Sequence, residues 1–174
     1  MLEFRDLTAD EIEVRVQSVN EKGLILLLYK NARCDMNILD ETVGPGNWQR
    51  EHYECKGNLF CRVGINVNYK NSDDLDTWVW KSDCGVESDT EAQKGEASDS
   101  FKRACFNWGI GRELYTTPFI WVPADKCNIA NSGGKYKCYD RFYVEKIIIK
   151  DKKIMAISIM NENKKERCFV WQRQ

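Results

Sequence analysis

The stretch that most constrains this chain is Thr90–Tyr115, TEAQKGEASDSFKRACFNWGIGRELY. Within it Ala97, Phe101, Ala104, Cys105 and Trp108 recur at i, i+4, i+7, i+8 and i+11, the spacing of one buried helical stripe. The spacing predicts a single long amphipathic helix. Thr90 with Gln93 supplies a capping box at its start, and Gly109 a left-handed stop at its end. Lys102 and Arg103 fall beside the stripe, where their stems pack while their charges reach outward. Periodicity alone favours a core helix with solvated cations.

Strands lead into that helix. Leu59, Cys61, Val63, Ile65 and Val67 alternate with more polar neighbours across Leu59–Asn68, which predicts a half-buried strand. Thr77–Val86 alternates in the same way, with Trp78, Trp80, Cys84 and Val86 on one face and Val79, Lys81 and Asp83 on the other. Trp48–Lys56 reads as an irregular strand, joined to the next by a tight turn at Lys56-Gly57-Asn58. Upstream, Thr8–Asn20 has a Thr cap and apolar Ile12, Val16 and Val19, which predicts a short amphipathic helix. Gly23–Lys30 reads as a buried strand, and Cys34–Val43 as a helix stopped by Gly44-Pro45-Gly46. Downstream, Thr116–Lys135 is turn-rich and predicts an irregular, mobile loop, followed by strands near 139–149, 154–160 and 167–172. The expected fold class is α+β: an antiparallel β-meander with the long amphipathic helix packed across it, plus a C-terminal β-hairpin extension. Residues 1–174 are expected to form one domain, with 1–115 as a β-β-β-α core bearing N-terminal helices and 116–174 as a loop plus antiparallel strands.

Composition narrows the function classes. No apolar run approaches the ~20 residues of a membrane span, and MLEFRDLTADE lacks an apolar leader, so a cytoplasmic protein without a membrane partner is expected. The eight cysteines show no C-x2-C pair and His52 is the only histidine, so no structural metal and no cofactor are expected, and the thiols read as reduced. His52 has no evident Ser, Cys or Asp partner, and no residue is assigned a catalytic role. The enzyme alternative is Mg2+-dependent phosphodiester hydrolysis at Asp73, Asp74, Asp76, Asp83 and Glu87, three of which crowd one loop. No phosphate-binding G-x4-G-K-[ST] loop is present, so ATP is not expected to be used. Net charge is −1, and the isoelectric point near 6.0 is the best argument for a non-catalytic adaptor. Charge is unevenly spread, with −7 over Ser72–Ser100 and +4 over Val144–Gln174, which suits either head-to-tail self-association or ordinary solvated faces.

EASDSFKRACFNWGIGRELY, preceded by an aromatic strand and a Gly-Val-x-Ser turn, resembles the signature helix of the Rad-fifty-two superfamily of single-strand annealing proteins, which includes bacteriophage members. ARCDMNILDETVGPGNW resembles that superfamily's first helix and turn, with Trp48 as the aromatic that begins the next strand. The resemblance runs over roughly Gly23–Tyr115 and does not extend into the C-terminal strands. It implies an ATP-independent protein of recombination and repair that anneals single-stranded DNA as a homo-oligomeric ring. A phage-encoded member would work in the bacterial host cytoplasm. Double-stranded DNA, a nuclease and a single-strand-binding protein are further partners left open. Lys102 and Arg103 match the family's basic pair on the floor of the DNA groove. Arg33 stands near a further basic position, and Phe106 replaces an arginine one turn after the pair, as core or as a base-stacking ring. Pattern rather than resemblance adds Arg62 and Lys81 as cations on neighbouring strands flanking a phosphate path, and Trp48 as a second ring for stacking.

Overall fold

Alternation makes Asn58–Asn66 the most buried strand of the chain: Cys61, Val63 and Ile65 are wholly inaccessible to solvent. The computed structural model describes residues 2–70, 77–86 and 92–174, which divide into two compact units. The first comprises Met1–Arg5 and Asn31–Gly111, and the second Asp6–Lys30 and Arg112–Gln174.

In the first unit α1 (Ala32–Val43) precedes β3 (Trp48–Cys55), β4 (Asn58–Asn66), β5 (Trp78–Cys84) and α2 (Ala92–Trp108). Asn31 caps α1 by accepting the Cys34 backbone N–H at 2.9 Å. The three strands form an antiparallel sheet in the order β3-β4-β5, the expected meander. Helix α2 packs against β4 and β5, and α1 against α2. Phe101, Ala104 and Cys105 meet no solvent, nor do Ile38 and Leu39 of α1. Burying each of the larger side chains contributes about 1.5–3 kcal/mol. Gly109, at φ +98°, ends the helix where a side chain would be strained. The Thr90–Gln93 capping box lies outside the described residues.

Residues directly opposite in an antiparallel pair share a face. Val63 pairs with Lys81 and Cys61 with Asp83, so Lys81 and Asp83 face α2. Trp48, Arg50 and His52 of β3 pair with Ile65, Val63 and Cys61 and join them on that side. Arg62 pairs with Ser82 and Glu51, which puts it on the reverse face with Tyr53, Phe60, Gly64, Trp78 and Trp80. Arg62 and Lys81 therefore lie on opposite sides of the sheet and do not flank one path. The alternation of Thr77–Val86 is as expected, but the face toward the helix carries the lysine and the aspartate rather than the tryptophans.

The second unit is built on a six-stranded antiparallel sheet, in spatial order β11-β10-β9-β1-β2-β6. Its strands are β1 (Ile12–Asn20), β2 (Gly23–Lys30), β6 (Ile120–Pro123), β9 (Phe142–Lys150), β10 (Lys153–Asn161) and β11 (Glu166–Gln172). The sheet curls until its edge strands β11 and β6 approach each other. Leu24, Leu26, Ile120, Val122, Ile154, Ile157 and Ile159 fill the interior. The last three strands lie where the sequence places them. Two other expectations fail here. Thr8–Asn20 is not a helix: Thr8 starts only a short 3-10 turn, Ala9–Glu11, and β1 follows. Ile12, Val14 and Val16 keep a period of two while Ile12, Val16 and Val19 keep a helical one, and pairing with β2 decides between them. Nor is Thr116–Lys135 a structureless loop. It supplies β6, which pairs with β2, and β7 (Ile129–Ser132), which forms a hairpin with β8 (Lys135–Cys138).

Candidate nucleic-acid interface

The side of α2 that borders β5 gathers the charged residues the sequence marked out. Arg103, one residue before the buried Ala104, leans toward the sheet and places Nε 3.3 Å from Asp83 Oδ1. Both side chains stay partly open to solvent, at 42% and 27%. Lys81 lies on β5, and its Nζ donates to the Asn107 carbonyl at 2.9 Å while sitting 4.6 Å above the Trp108 ring. Asn107 closes the group by donating from Nδ2 to the Ser82 carbonyl at 3.0 Å and to Asp83 Oδ2 at 3.3 Å. Trp108 is fixed in turn by its indole N–H, which donates to the Val63 carbonyl at 2.9 Å. Lys102 is half-buried beside Arg103 on the same helix. Lys81 and Arg103 thus share one helix–strand seam, held by hydrogen bonds that leave the cations at the surface.

A further cation, Arg50, was missed from the sequence. Its guanidinium lies 4.7 Å over the Phe101 ring, on the α2-facing side of β3. The signal was present in the alternation Trp48, Arg50, His52, which the irregular reading of that strand obscured. His52 makes contact with the Ala97 carbonyl through Nε2 at 3.0 Å, a structural tie to α2 rather than a catalytic pairing.

The remaining sequence candidates are placed differently. Trp48 stacks on Phe101 with ring centroids 6.2 Å apart and donates its indole N–H to Asp40 at 2.6 Å, so its ring serves the first unit's own packing. Phe106 is half-buried, unlike the fully buried Phe101. Arg33 is exposed in the first turn of α1 and takes no part in the seam. Arg62, on the reverse face, donates to Glu51 at 2.9 and 2.6 Å and covers the Trp80 ring at 4.6 Å.

The acidic stretch before α2 is partly consumed by the fold. Glu96 accepts the Leu59 backbone N–H at 2.9 Å and Asp99 that of Val86 at 3.1 Å, so each satisfies a strand-end donor. Asp83 is engaged by Arg103 and Asn107, while Asp73, Asp74, Asp76 and Glu87 lie outside the described residues. Among the described residues no group of histidine, cysteine, aspartate and glutamate side chains is arranged to hold a metal ion. Burial pushes the Cys61 thiol up to about 11, against a smaller opposing pull from Arg50, so beneath α2 it is no nucleophile at neutral pH. No described helix is long and apolar enough to cross a membrane. What the seam offers is cationic groups on a rigid helix and strand, suited to a polyanion.

Residues 4–133 match the family described as Rad52/22 family double-strand break repair protein. No curated protein matches the chain significantly. The family match spans most of the chain and takes in α1, the whole meander and α2. By that match the chain belongs to the Rad52/22 family of double-strand break repair proteins.

Proposed function

We propose that this protein holds single-stranded DNA by its backbone along α2 and presents the bases for annealing to a complementary strand. The observation that carries the reading is the seam itself, where Arg103 and Lys81 reach the surface beside Lys102. Annealing needs cations that track phosphates and leave base edges free, and it requires no nucleophile, metal or nucleotide cofactor. One subunit offers few such cations and each is screened by salt, so useful affinity comes from repeating them. The working form is therefore a homo-oligomer, a ring if the subunit rotation closes, with the seams joined into a continuous groove. Family membership supports the reading through its link to double-strand break repair.

A second reading, a non-catalytic adaptor, draws on the Asp83 carboxylate that already answers Arg103. The test separates the two. Lys102→Ala with Arg103→Ala is expected to weaken binding of a fluorescent single-stranded oligonucleotide. The log–log salt slope should become shallower by about 0.7 for each phosphate that is no longer neutralised. Light scattering should show the same mass as for the unaltered protein. Unchanged affinity and slope would move DNA off this seam, and an unaltered protein indifferent to DNA at low salt would leave the adaptor.

A further inference from the structure

The β7–β8 hairpin of the second unit carries a charged face that the seam on α2 does not include. Gly133 and Gly134, at φ +61° and +83°, close it in a two-residue turn whose twist suits paired strands. Asn131 accepts the Gly134 N–H at 3.0 Å. At the open end Asp140 accepts the Asn128 backbone N–H at 2.7 Å, the Asn128 side-chain amide at 2.9 Å and that of Asn161 on β10 at 2.7 Å. Both ends are pinned, so the strands between them hold their side chains in a fixed order. Lys135, Lys137 and Tyr139 are exposed, whereas Tyr136, Cys138 and Asp140 are half-buried. This alternation turns one row toward the body of the unit and the other toward water.

Register sets Ser132 opposite Lys135 and Ala130 opposite Lys137. The outward face is therefore two ammonium groups beside a hydroxymethyl and a methyl group, followed by a Tyr139 ring that is 77% exposed. Residues 128–139 contain no aspartate or glutamate, and neither ammonium group has a hydrogen-bond or ion-pair partner among the described residues. Arg103 and Lys81 differ in this respect, being engaged by Asp83 and the Asn107 carbonyl. The neighbouring strand β1 adds one carboxylate, Glu13, and Arg15 holds it at 2.6 Å. Arg141 continues the alternation but lines a hollow with Glu13, Asp140 and Glu162, so the row of unanswered charge stops before it. We propose that this face is a second contact for single-stranded nucleic acid, with successive phosphates on Lys135 and Lys137 and a base on the Tyr139 ring. Side chains two residues apart on a strand stand about 7 Å from each other, close to the spacing of neighbouring phosphates on an extended single strand. Cations that track a backbone beside a ring that stacks a base hold one strand whatever its sequence. An acidic peptide would find the charge but no apolar wall, since only Ala130 and Ser132 stand opposite the lysines. Lys135, Lys137 and Tyr139 lie beyond the residues 4–133 that match the family. The inference rests on the proposed hold on single-stranded DNA and adds to it a site outside α2.

The test is the anisotropy of a labelled oligothymidine on the full chain across a salt series. Lys135→Gln with Lys137→Gln is expected to lower affinity and to make the log–log salt slope shallower by about 1.4, at about 0.7 for each phosphate released. Ser132→Asp sets a carboxylate opposite Lys135 without removing a lysine, and should move both readouts in the same direction. Tyr139→Leu is expected to weaken binding about fivefold or more with the slope unchanged, and to make no difference on an abasic strand. Circular dichroism and scattering mass should match those of the unaltered protein. If Lys102→Ala with Arg103→Ala weakens binding while the hairpin variants bind normally, the hairpin is overturned as a site and the α2 seam stands. If the unaltered protein does not bind the strand at low salt, both fail together. An equal loss for Tyr139→Leu on the abasic strand would overturn the stacking contact and with it the proposal. So would an aspartate peptide that binds the Lys102→Ala, Arg103→Ala protein as tightly as oligothymidine does.

Discussion

At Gly64 a single hydrogen decides how the reverse face of the meander packs. The Trp80 side chain lies across this glycine, and a Cβ placed there would come within 2.8 Å of three ring atoms. Arg62 covers the same ring at 4.6 Å, and Trp78 sits 6.3 Å away, so the indole has little room to retreat. Gly64→Ala is therefore expected to cost about 1–3 kcal/mol by overpacking, seen as a lower thermal midpoint and altered tryptophan fluorescence. Gly46→Ala is the control, since nothing lies within 4 Å of its Cβ position, and it should leave both readouts unchanged. Equal midpoints for the two variants would mean that Trp80 does not rest on the glycine. Buried thiols make a different kind of residue-level statement. Burial raises Cys168 to about 12 and, with smaller contributions from neighbouring Cys138 and Asp140, Cys127 to about 11. They behave as small hydrophobes, as a chain with no disulfide spacing suggests.

Helix α2 and strand β5 set the charge of the seam together, and Asp83 is the group there that would oppose a polyanion. Asp83→Asn keeps the shape of the side chain while releasing Arg103. It is expected to raise single-stranded DNA affinity severalfold and steepen the salt slope by about 0.7 if Arg103 gains one phosphate. No change in the slope would place Arg103 away from the bound strand. The seam was half legible in the sequence. Lys102 and Arg103 could be read because a long apolar stripe fixes a helix's rotation, and the residues beside it follow. Lys81 was identified as a cation but given the wrong companion, because alternation fixes only that neighbours along a strand point apart. Which face meets a helix depends on register, and Val63 opposite Lys81 appears only once the strands pair. Arg50 was hidden for the same reason. Ile12–Asn20 shows the complementary failure, in which a short apolar pattern suits helix and strand alike until a partner strand settles it.

At the scale of the molecule, the second unit is assembled from two stretches of chain, Asp6–Lys30 and Arg112–Gln174, between which Asn31–Gly111 of the first unit is inserted in sequence. The β1–β2 hairpin gains its neighbours only from β6 and β9, which come after Gly111. A truncation after Tyr115 is therefore expected not to give a smaller folded protein. Leu24 and Leu26 would lose Ile120 and Val122 opposite them, and the product should aggregate or bind a dye for exposed apolar surface. A soluble fragment with a single cooperative melt would contradict this. The helical seam, by contrast, belongs wholly to the inserted unit, whose strands and helices are all present once Gly111 has been made. That order has a consequence during synthesis. Ribosomes add about 5–20 residues per second, so the inserted unit emerges seconds before the strands that complete its host. For that interval the nascent chain carries a finished α2 and a host sheet that still lacks four of its six strands, so the unit that bears Lys102 and Arg103 is the first part of the protein to be complete.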